Sequence, residues 1–179
     1  EDWRAAARVG WQALSSARGF DDEWDILVAL SDCFRMLGRV EEAKSCNLLT
    51  SKCAPLPETR QIAMHNLAVI AALQGDETAF ANLRSEVDPA SMSAMGRVQV
   101  LGEQGQVLCA LGREEEGRRL METALREAES MRLGKLVFEL EDALKRDRPW
   151  DPLMGPDLTP RDAEEDEIRT QLELIASAV

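Results

Sequence analysis

Chemistry in this chain would have to come from one histidine, four cysteines and a few acidic runs. His65, Cys46 and Cys53 are ligand types for zinc, but they would have to converge from the end of one helix and the body of the next. The pattern names no fourth ligand and contains no C-x-x-C pair, so Cys33, Cys46, Cys53 and Cys109 read as free thiols in a reducing compartment. His65 lies in the apolar run from Ile62 to Ala72, where no nucleophile is placed to use a base. It reads as a core or groove histidine, with a pH-sensitive contact as its functional option. Glu114-Glu115-Glu116 opens a helix, where carboxylates complement the positive end of the dipole, and that ordinary cause outweighs a metal site. Gly102-Glu103-Gln104-Gly105 has the G-x-x-G spacing of a nucleic-acid loop but sits within a predicted helix without basic neighbours, so close helix packing is the better reading. No G-x-x-x-x-G-K-[ST], H-E-x-x-H, G-x-S-x-G or EF-hand pattern occurs. The expectation is a protein that is not an enzyme, with no catalytic residue, no metal and no cofactor.

The elements that carry these residues repeat. Leu37-Gly38-Arg39-Val40-Glu41-Glu42-Ala43 returns in altered form at Leu73-Gln74-Gly75-Asp76-Glu77-Thr78-Ala79 and at Leu111-Gly112-Arg113-Glu114-Glu115-Glu116-Gly117, with the glycines 37 positions apart. Apolar residues at helical spacing flank each glycine. Hairpins of two helices, stacked so that each buries its apolar face on the next, explain a period of that size. The fold expected is all-α, a helical solenoid.

Along the chain the 3- and 4-residue apolar spacing predicts helices over 2–18, 22–37, 40–51, 58–73 and 76–87. A long helix begins at Asp88-Pro89 and ends at Ala110, another follows Gly112, and one over 135–146 comes after a turn at Leu133-Gly134 and caps the stack. These make a repeat domain over 1–147. Pro149, Pro152, Gly155 and Pro156 mark 148–159 as a linker, and an amphipathic helix over 160–179 carries Ile168, Leu172 and Ile175 on one stripe. Trp150, in the linker, is expected to anchor the tail to the solenoid or to dock a partner. With Ile168, Leu172 and Ile175 it forms the predicted tail contact. The stripe has reach enough for the solenoid's own groove or for that of a second copy, which would make a homodimer.

The formal charge of −12, from 33 acidic against 21 basic side chains, disfavours phosphate backbones, so direct nucleic-acid contact is not expected. No run of 18 apolar residues and no leader-like start is present, which predicts no membrane span and a cytoplasmic location. Counting back one period from Gly38 lands on Glu1, which reads as a chain opening in the middle of a unit with more protein upstream.

Leu27-x-x-Leu30-Ser31-x-x-Phe34, then Ala43, then Pro55, resembles a tetratricopeptide repeat: large apolar, Leu, small and aromatic on the first helix, Ala on the second, Pro at the exit. The 37-residue spacing is similar to the extended repeats of bacterial signalling ATPases and transcription regulators. The resemblance covers roughly 1–146 and implies a right-handed solenoid of tetratricopeptide-like hairpins, a scaffold that binds a peptide or protein in the groove lined by its first helices. Carried onto this sequence, the groove positions are Val28, Asp32, Arg35, His65, Val69, Gln99 and Gln106. They lack the basic set of a carboxylate clamp, which argues against capture of a chain-end carboxylate. The other reading is a sensory or regulatory segment of a larger signalling protein, with an ATPase, kinase or DNA-binding part upstream.

Overall fold

The computed structural model describes residues 2–17, 19–20, 22–145 and 163–177, and every regular element among them is helical. In chain order these are α1 (Trp3–Ala17), α2 (Asp22–Met36), α3 (Val40–Cys53), α4 (Pro57–Leu73), α5 (Glu77–Glu86), α6 (Ala94–Ala110), α7 (Glu114–Ser130), α8 (Gly134–Lys145) and α9 (Ala163–Ser177). The linker with Trp150 lies outside the described residues.

Why the chain reverses where it does is written in three backbone torsions. Gly38, Gly75 and Gly112 take φ of 72°, 77° and 76°, a left-handed conformation that only glycine adopts without penalty. After each one, the next amide donates to the carbonyl five residues back: Arg39 to Phe34 at 2.7 Å, Asp76 to Ala71 at 2.9 Å, Arg113 to Leu108 at 2.8 Å. That is the Schellman closure of a helix end. The recurring glycines therefore mark equivalent corners, as their spacing predicts.

A fourth corner has the same geometry with a different residue. Leu133 donates to the Ala128 carbonyl at 2.9 Å, and the left-handed position before it is Arg132, with φ of 58°. The turn read at Leu133-Gly134 thus falls earlier, and Gly134 instead opens α8. The closing hydrogen bond fixes which residue must turn left-handed, and here that residue is not a glycine.

Within each hairpin α2 packs on α3, α4 on α5 and α6 on α7; across hairpins α2 packs on α4, α4 on α6 and α6 on α8. The first helices thus form a continuous row, an arrangement compatible with a helical repeat. Small residues make the crossings possible. Ser31, Ala68 and Gly105 stand one period apart and are all buried. A Cβ on Gly105 would lie 2.7 Å from the Gly117 carbonyl oxygen and 2.6 Å from Met121 Cγ, and one on Gly102 would lie 2.8 Å from Leu140 Cδ2. The G-x-x-G segment is therefore a packing surface, in line with the sequence reading. Gln104, which occupies a position the repeat pattern gives to leucine, is buried and accepts a hydrogen bond from Arg84 Nε of α5 at 3.4 Å.

The start of α6 departs from expectation. Asp88-Pro89 begins only a single 3-10 turn (Pro89–Ser91), the chain extends through Met92, and α6 starts under Ser93, whose hydroxyl accepts from the Gly96 amide at 3.1 Å. The break lets Met92 turn inward beside Val87 and Val100, burial that a continuous helix would forgo.

The tail helix also finds a particular seat. α9 packs against α3, the second helix of its hairpin, rather than along the row of first helices. Ile168 and Leu172 are each 1% exposed, in one apolar cluster with Ala7, Leu14, Cys46 and Leu49. Ile175 is partly buried against the same cluster, as are Trp3, Trp11 and Trp24. Each fully buried aliphatic contributes about 1.5–3 kcal/mol before ordering costs.

The corners make a direct test. Nothing lies within 4 Å of a Cβ built on Gly112, so Gly112→Ala meets no clash and its cost is torsional, about 1 kcal/mol. Arg132→Gly relieves the same torsion and should gain up to about 1 kcal/mol, less the added freedom of the unfolded chain. Urea unfolding should move the two midpoints in opposite directions; equal midpoints would mean the left-handed corners are absent in solution.

Candidate functional site on the first helices

Glu103 closes a network of four polar side chains drawn from three successive first helices. From α6 its Oε2 receives a hydrogen bond from His65 Nε2 of α4 at 2.9 Å, and its Oε1 lies 3.7 Å from Arg35 Nη2 of α2. Arg35 Nη2 also donates to Asp32 Oδ1, one turn earlier on α2, at 3.1 Å. The side chains of His65 and Arg35 are 2% and 10% exposed, those of Glu103 and Asp32 27% and 45%. The basic members are thus buried and the acidic ones face outward.

Burial alone would raise the Glu103 pKa, but the His65 hydrogen bond and the charges of His65 and Arg35 outweigh it and hold the carboxyl below its ordinary value. An ionised carboxylate only accepts, so the proton shared with His65 belongs to Nε2. Nδ1 of the same ring is buried with no hydrogen-bond partner among the described residues. Asp32 moves the other way: desolvation raises it, with the Glu103 charge adding, against the pull of Arg35.

The repeat register explains how these residues come together. Val28, His65 and Gly102 occupy one position in successive units, and Asp32, Val69 and Gln106 another. In a row of parallel first helices, equal positions line up across the stack. Of the positions implied by the family resemblance, Asp32, Arg35 and His65 join one network. Val69, 1% exposed, belongs to the apolar cluster of α4, α5 and α6, while Val28 is half-buried on α2.

Gln99 and Gln106 lie on either side of Glu103 along α6, and with Glu139 of α8 they edge a cleft of about 220 Å³. Gln99 is exposed and Gln106 half-buried. Glu103 was not among the sequence-derived site residues. Its one sequence signal is position: one helical turn from both Gln99 and Gln106.

All four cysteines are free, Cys33 and Cys46 buried and the other two partly so; desolvation pushes the Cys46 thiol above its usual range. Among the described residues no group of three or more His, Cys, Asp or Glu is placed to hold a metal ion, and no helix is long and apolar enough to cross a membrane. No family model matches the chain, and searches of curated proteins and of solved structures return no match.

What the site offers is a pre-set polar surface: a carboxylate fixed by two buried basic groups, with amides and a second carboxylate beside it. Glu103→Gln should cost about 1–3 kcal/mol at neutral pH, since it removes the charge that buried Arg35 and His65 face. A carboxyl whose pKa is depressed on folding adds stability above its unfolded value, 4.5, and that contribution disappears as pH falls through the lower folded value. Urea titrations should therefore show the two proteins differing at pH 6 and converging as pH falls from there through the depressed folded value; a constant difference would show that the charge of Glu103 is not what matters.

Proposed function

We propose that the chain is a non-enzymatic scaffold of tetratricopeptide type, a right-handed solenoid that holds a peptide or protein segment across the face of α2, α4, α6 and α8. One observation carries the reading. The Glu103 network ties three first helices into a single unit and leaves Asp32, Gln99 and Gln106 accessible beside it. Groups held on rigid elements lose little entropy when a partner binds, which is the condition for affinity from a modest number of contacts.

In this reading, buried and exposed residues divide the work. His65, Arg35 and Val69 act as supports, because their side chains are buried; contact with a partner falls to the exposed or half-exposed Val28, Asp32, Gln99 and Gln106. Excess negative charge favours a basic or neutral partner over an acidic one. Free thiols throughout fit a reducing compartment such as the cytoplasm.

Panning the full chain against a displayed peptide library tests the reading. The expected binders shift amide resonances of α2, α4, α6 and α8, and lose about tenfold in affinity when Gln99 and Gln106 are both changed to Ala with helicity unchanged. Binders whose footprint lies on α5 and α7 would contradict it, as would a library that yields none.

A further inference from the structure

The cleft between α6 and α8 has a composition that the peptide-binding reading alone does not explain. Its floor is apolar, formed by Val98 and Leu140, both buried, and by Gly102, which contributes no side chain. Its edges are polar and carry two carboxylates, Glu103 and Glu139, together with the amides of Gln99 and Gln106. At about 220 Å³ it falls below the roughly 300–1,000 Å³ of sites that enclose a drug-sized ligand, which leaves room for one long side chain.

We propose that this cleft receives a single basic side chain, arginine or lysine, of a peptide held across the first helices. The proposal rests on the peptide-binding reading and names the chemistry of one anchor. A long aliphatic stem ending in a cation matches a cavity with an apolar floor and anionic edges, because such side chains bury the stem while the head stays among polar groups. The lining itself holds no cation, so an acidic side chain would leave its charge facing two carboxylates.

Charges next to the cleft permit this. Glu103 is engaged by His65 at Oε2, but its Oε1 lies 3.7 Å from Arg35, beyond hydrogen-bond range, so acceptor capacity remains on that oxygen. Glu139 faces Lys135 one turn away on α8 at 3.7 Å, with the two side chains 50% and 88% exposed. An exposed pair of this kind is worth little, and an entering guanidinium can displace it. Gln106 and Gln99, on the same face of α6, are placed to bond the head group or the adjoining peptide backbone. The charge of −12 over the whole chain adds long-range attraction for basic segments.

Four probes separate the alternatives by amide-resonance titration of the full chain: capped Ala-Ala-Arg-Ala-Ala, its glutamate and norleucine counterparts, and free arginine amide. The expected result is that the arginine peptide shifts the side-chain amides of Gln99 and Gln106 and the backbone amide of Gly102. It should bind at least tenfold more tightly than the other two peptides, and Glu139→Gln should weaken it about fivefold. Equal binding of the arginine and norleucine peptides, with shifts at Val28 and Asp32 but not at the cleft, would overturn the cleft proposal while leaving the peptide-binding reading standing. Free arginine amide binding as tightly as the peptide would overturn the assignment to a peptide side chain. No shift on α2, α4, α6 or α8 with any probe would remove both.

Discussion

Where a first helix stops and turns into its partner, one residue takes the left-handed region, and that closure recurs at fixed intervals, whereas α3 and α5 end in the extended residues Ala54 and Val87. The closure after Gly38, Gly75 and Gly112 sets the direction in which each second helix leaves. Equivalent corners fix where each second helix begins, although α3, α5 and α7 run to 14, 10 and 17 residues, and each hairpin packs on the next through its first helix. Stacking then follows from burial, with small residues at Ser31, Ala68 and Gly105 letting the helix axes come close.

Repetition alone would leave the row of first helices held by apolar contact, which tolerates slippage. Glu103 adds a directional restraint, since His65 and Arg35 reach it from two preceding units. Buried charge is costly, and the network answers that cost by pairing every basic group with a carboxylate. The same restraint places Asp32, Gln99 and Gln106 at fixed positions on one face. Fold and candidate function thus meet in a single carboxylate.

Much of this was open to reading in the chain itself, and the exceptions have physical causes. Three corners are legible because glycine is the residue that left-handed backbone selects; the fourth is read two residues late, at Gly134, because Arg132 occupies that torsion and arginine carries no such signal. The sequence cue at Asp88-Pro89 was real but local, and the burial of Met92 interrupted what it started. The role of Glu103 is not legible along the chain, because its partners come from other units and are set by helix crossing, which spacing along one helix does not encode. Burial of His65 and Val69 has a related origin. A first helix flanked by neighbours on both sides hides more of its circumference than a single amphipathic stripe suggests. The tail stripe was visible, but its seat on α3 depended on apolar surface contributed jointly by α1 and α3.

All of this depends on successive hairpins stacking in one register, with the first helices side by side. Methyl-resolved NOE spectroscopy of the full chain addresses this most directly. Cross-peaks are expected from a Leu140 methyl to the Gly102 α-protons and from the Met121 side chain to those of Gly105, along with contact between His65 ring protons and the Glu103 side chain. Helices that form with their expected boundaries but give none of these contacts would contradict it.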